Sequence, residues 1–134
     1  PAAPAPTISW ATPAQVSAPP IVQSSGKSGG CYITTAVTKG LGLPDDNVYL
    51  RILRNFRDDV LAPHHAGRKL IADYYAKAPA ICAKLEKLET GLKNDIYREI
   101  LYGYIVPCAC MAHAGKVLDT VVRYRAMVDV LHTL

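Results

Sequence analysis

Apolar residues recur at three- and four-residue spacing through most of this chain, and that spacing limits its fold more than any other feature. Between 46 and 61, Tyr49, Ile52, Leu53, Phe56 and Val60 fall on one face of a helix. Pro44, Asp45 and Asp46 precede it, and an Asp is expected to cap its free N–H groups. Pro63 breaks the pattern, since proline has no N–H to continue the ladder. A short helix over 65–77 follows, carrying Leu70, Ile71, Tyr74 and Tyr75 inward. Pro79 is expected to open another, with Ile81, Leu85 and Leu88 on one side, and Gly91 to end it. Ile96, Ile100, Leu101, Tyr104 and Ile105 mark a further helix, closed or kinked at Pro107. The last helix is read over 108–131, through Met111, Leu118, Val121, Val122 and Val128, with Gly115 weakening its early part. No strand alternation competes with this pattern. The expected fold is all-α: an irregular bundle of five or six short helices.

Residues 1–30 follow a different rule. Six of them are Pro, and the stretch ends in Ser and Gly. Such sequence favours extended or flexible, solvated backbone. Only Trp10, Ile21 and Val22 offer sizeable apolar area. The expected organisation is a disordered linker over 1–30 and a helical domain over 31–134. CYITTAV at 31–37 begins that domain as a helix or a short strand, Ser28 is a candidate cap, and Gly40–Leu41–Gly42 ends the element. The chain opens at Pro1 rather than Met, so a fragment or a processed product is expected. No apolar run approaches the roughly 20 residues of a membrane span, and no signal-peptide pattern opens the chain.

Charge and cysteine content exclude several classes. Fifteen Lys and Arg stand against 11 Asp and Glu, a net charge of +4. The two signs are interspersed, which disfavours a nucleic-acid interface. Four cysteines, Cys31, Cys82, Cys108 and Cys110, are expected as free thiols. Cys108, Cys110 and His113 have a zinc-like look, but positions 108 and 110 point to different sides of a helix and no second pair completes a site. There is no phosphate loop or dinucleotide fingerprint, so neither a metal nor an organic cofactor is expected. Most of the eight tyrosines are read as core residues whose hydroxyls reach the surface.

Cys31 stands out by position. It follows Ser–Gly–Gly and would open the first ordered element. The positive end of a helix dipole favours the thiolate there. Packing alone, or a modified or lipid-bearing thiol, are its other readings. A nucleophilic Cys needs a base. Of His64, His65, His113 and His132, His65 and His113 are the candidates. Asp45, Asp46, Asp58 and Asp119 could orient such a base, although Asp45 and Asp46 read first as caps. Arg54, Arg57 and Asp58 read as an ion-pair network.

CYITTAV at 31–37, PDD at 44–46, LRILRNFRDDVL at 50–61, GRKLIADYYAKAP at 67–79 and the terminal IVPC and AGKVLDTVVRYRAMV segments together resemble the bacterial CFI-box family. That family is named for a Cys–Phe–Ile box; Tyr32 stands here where the name has Phe. The resemblance covers nearly all of 31–134. It implies a domain that sits at the C-terminal end of longer bacterial proteins, and it supplies no reaction. SGGCYITTAV at 28–37 is also similar to the nucleophile segment of papain-like cysteine proteases, although the strand-rich second half of papain has no counterpart here.

A helical domain on a Pro-rich tether fits the working end of a delivered bacterial toxin. The expected activity is a cysteine-dependent hydrolase, most simply a protease, acting in the cytoplasm of a target cell. Cys31 would attack a carbonyl, His65 or His113 would carry the proton, and N–H groups at the start of the first helix would hold the oxyanion. The expected partner is a protein: a substrate, a binding partner or a cognate immunity protein. The rival expectation is a non-catalytic helical interaction module.

Overall fold

The computed structural model describes residues 32–134. The expected linker, with Trp10, Ile21, Val22 and Ser28, and Cys31 itself lie outside the described residues. Those that are described form an all-α fold, an irregular bundle.

Helix α1 spans Tyr32–Gly40. It ends where Gly42 takes φ +85. The Leu43 N–H then bonds the Thr38 carbonyl at 2.9 Å and the Gly42 N–H bonds the Lys39 carbonyl at 3.0 Å, the paired closure that a left-handed residue permits. Helix α2, Val48–Asn55, runs on as a π-helical segment, π1, over Phe56–Leu61. Its cap is Asn47 rather than Asp45 or Asp46. The Asn47 side chain accepts from the Leu50 N–H at 3.0 Å and donates to the Pro44 carbonyl at 2.9 Å. The two aspartates fall inside the turn that this second bond closes, one step too early to reach the helix.

Helix α3 is a single helix, His65–Glu86, with Pro79 inside it. The expected break at Pro79 is therefore wrong. An interior proline costs about 3 kcal/mol. Ala78, Ile81 and Leu85 are each fully buried, and a buried Ile or Leu contributes about 1.5–3 kcal/mol. Burial on both sides of the proline holds the helix through it. Nor does Gly91 end a helix. It lies in the first turn of α4, Thr90–Ile100, where the Glu89 side chain accepts from the Gly91 and Leu92 N–H groups at 3.1 and 2.7 Å.

From α4 the chain passes through a second π segment, π2 at Leu101–Ile105, into α5, Val106–His113, without a break. Pro107 thus neither closes nor starts an element. It cannot donate to the carbonyl four residues back, that of Gly103, and the Arg123 guanidinium donates to that carbonyl instead, at 3.0 Å. The break falls at Gly115, with φ +79. The Lys116 N–H bonds the Met111 carbonyl at 2.8 Å and the Gly115 N–H bonds the Ala112 carbonyl at 3.1 Å, so the α1 closure recurs. Helix α6, Val117–His132, follows.

α1 lies against α3, α4 and π2, while α6 packs on α3, π2 and α5. Ile33 and Val37 of α1, Leu50 and Leu53 of α2, Ile81 and Leu85 of α3, Tyr97, Ile100 and Ile105, and Met127 and Leu131 of α6 form the core. The Tyr97 ring fills the space where a Cβ on Gly40 would stand, which explains a glycine in the last turn of α1.

Candidate functional site

The first N–H groups of a helix have no partner within it. In α1 one is met from another element: the Ile33 N–H donates to the Tyr74 hydroxyl of α3 at 2.9 Å. Tyr74 also accepts from the Tyr124 hydroxyl of α6 at 3.3 Å. Tyr124 in turn lies 3.0 Å from the Thr34 hydroxyl. Tyr124 spends its one proton on Tyr74, so Thr34 is the donor to Tyr124. Donation therefore runs from Thr34 to Tyr124 to Tyr74. Thr34 is fully buried, which fixes the start of the chain. Beside it, Thr35 Oγ1 is buried with no hydrogen-bond partner.

Aromatic edges frame this turn. The Tyr74 and Tyr124 rings stand 5.4 Å apart at 70°, and Tyr32 meets Tyr75 at 5.7 Å and 80°. Both are edge-to-face contacts that aromatic quadrupoles favour. Arg57 of π1 reaches the same wall and donates to the Tyr75 hydroxyl at 2.8 Å. Asp58 grips the guanidinium from the other side, at 2.8 Å on Nε and 3.2 Å on a terminal nitrogen. Four elements, α1, π1, α3 and α6, thus place hydroxyls and one held guanidinium around the start of α1. The Tyr74 and Tyr124 hydroxyls, expected to reach the surface, point at one another and at α1 instead.

The expected site residues are distributed otherwise. Cys31 directly precedes Tyr32 in the sequence but lies outside the described residues. His65 is exposed and opens α3, nine residues before Tyr74, about 13 Å of helix rise. His113 is exposed and closes α5; Tyr124 stands seven residues into α6 from Val117, about 10 Å of rise from that turn. Neither imidazole makes a hydrogen bond or an ion pair among the described residues. Asp45, Asp46 and Asp119 are exposed, and Asp58 is committed to Arg57.

The remaining thiols divide by environment. Burial pushes Cys108 up to about 12, against the opposing pull of Arg123. Burial, and then the Glu86 carboxylate, push Cys82 up to about 11. Thiols held neutral in this way are poor nucleophiles. Cys110 is exposed. Cys108 faces the core while Cys110 and His113 face outward, and no group of three or more His, Cys, Asp or Glu is placed to hold a metal among the described residues. No helix among them is long and apolar enough to cross a membrane.

Nothing in the local sequence distinguishes Tyr124 from any other helical tyrosine. No family model matches the chain, and no curated protein or solved structure matches it.

Proposed function

We propose that residues 31–134 form the effector part of a delivered bacterial protein and act as a cysteine-dependent hydrolase on a protein in the target cell's cytoplasm. One observation carries the reading. Segments far apart in sequence, Tyr32–Thr34, Arg57, Tyr74–Tyr75 and Tyr124, meet at the turn that begins immediately after Cys31. All of them belong to the stretches that resemble the CFI-box family.

In this reading the helix terminus favours the Cys31 thiolate. Its sulfur attacks the substrate carbonyl carbon, and the carbonyl π electrons move to oxygen. N–H groups at the start of α1 stabilise that oxyanion, and Tyr74 holds that turn in place through the Ile33 N–H. Collapse breaks the C–N bond and expels the amine, which takes its proton from solvent water, and leaves a thioester. Water then attacks the thioester, releasing the acid and the thiol. His65 and His113 have no role in this version, because both stand away from the turn.

Cys31→Ala should abolish toxicity and hydrolysis while leaving the helical circular dichroism unchanged. Full toxicity in that variant would end the proposal. A second reading, a non-catalytic helical interaction module, is favoured by the apolar outer face of α6. It predicts a Cys31 that labels no faster than an ordinary thiol.

A further inference from the structure

The outward face of α6 carries an apolar row that none of the described residues covers. Leu118, Val122, Ala126 and Val130 recur every four residues along α6, and Leu134 follows at the same interval two residues beyond its end at His132. Leu118 is 74% exposed, Val122 60%, Val130 52% and Leu134 57%, and Ala126 is exposed. The row is symmetric in sequence about Ala126, with Val at four residues on each side and Leu at eight.

We infer that α6 pairs with α6 of a second copy of this chain, antiparallel, about a two-fold axis beside Ala126. An isologous interface requires that residue i meet residue j and that j meet i. Antiparallel pairing of the helices at this register sets Ala126 against Ala126 and Val122 of one copy beside Val130 of the other. The smallest side chain sits at the crossing, where the helix axes approach most closely.

Charge supports the same register. Arg125 and Asp129 are exposed, and neither makes a hydrogen bond or an ion pair among the described residues. Antiparallel pairing about Ala126 brings Arg125 of each copy within about 3 Å, along the axis, of Asp129 of the other. Asp119 and Asp129 lie within the apolar face, which counts against a lipid surface, where a buried carboxylate is costly. One helix per copy offers less than the roughly 800 Å² per partner of a standard interface. The dimer is therefore weak and depends on concentration. It does not rest on the chemistry of Cys31.

Sedimentation equilibrium of the full chain from about 1 µM to 1 mM should show a reversible monomer–dimer equilibrium. Val122→Glu should leave only monomer. Arg125→Asp and Asp129→Arg should each weaken the dimer by about tenfold, and the double reversal should restore it to within about threefold. Circular dichroism checks that each variant is folded. Monomer across the whole range overturns the inference, and so does a dimer untouched by Val122→Glu. A double reversal no better than either single one overturns it as well.

Discussion

The two faces of α6 are made differently. On the inner face Thr120, Tyr124, Met127 and Leu131 turn towards the core. The Thr120 hydroxyl donates to the Lys116 carbonyl at 2.7 Å, and Tyr124 bonds both Thr34 and Tyr74. On the outer face, among the described residues, the apolar side chains have no cover and Arg125 and Asp129 have no partner. Inside, a polar group left unpaired would cost about 1–3 kcal/mol, so the hydroxyls are arranged to satisfy one another. Outside, water fills the vacant places, and the unsatisfied quantity is apolar area. The inner face fixes the fold and the turn that begins at Tyr32, whereas the outer face is available to a second molecule.

Paired substitutions can break that contrast, the largest effect first. Met127→Ala should cost about 2–5 kcal/mol in chemical denaturation, because it empties a fully buried position. Leu118→Ala, nine positions earlier on the same helix, should stay within about 0.5 kcal/mol in dilute solution. Equal losses would mean that the two faces do not differ as described. Next comes Tyr74→Phe, which removes the acceptor for both the Ile33 N–H and the Tyr124 hydroxyl. A loss of about 1–3 kcal/mol is expected, together with at least a tenfold fall in any Cys31-dependent rate. Tyr102→Phe, whose ring is 68% exposed, should leave both unchanged.

A smaller effect lies in the pH dependence. Cys82 rises from 9.0 to about 11 and Cys108 to about 12 on folding, both chiefly by burial. The folded state keeps these protons more tightly than the unfolded one. Their stabilising effect is therefore complete below pH 9 and declines as pH rises from 9 towards 11 and 12. Thermal midpoints should fall over that window, and Cys108→Ala should flatten the fall. A midpoint that stays level across the window would contradict the burial of these thiols.

The helical class was legible because apolar spacing is a local property, and so was the end at Gly42; Gly115, expected only to weaken one helix over 108–131, instead divides it in two. Pro79 and Pro107 misled because a proline's cost is local while its compensation is not. Ile81 and Leu85 are buried by tertiary packing, and Gly103 finds its donor in Arg123, 20 residues away. Asn47 displaced the expected Asp caps because a turn closed by Pro44 sets which residue reaches the helix start. The hydroxyl chain was invisible for the same reason. Its partners are 41, 50 and 90 residues apart, and no spacing rule links them. Histidines can be found in a sequence, but their distance from a thiol cannot.

The central claim is that the turn beginning after Cys31 makes this thiol unlike the others. Alkylation of the native chain at neutral pH, followed residue by residue by mass spectrometry, tests it most directly. Cys31 should react first and faster than the exposed Cys110, with Cys82 and Cys108 last, and Tyr74→Phe should change the Cys31 rate alone. A Cys31 that reacts no faster than Cys110, with a rate indifferent to Tyr74→Phe, would contradict the claim.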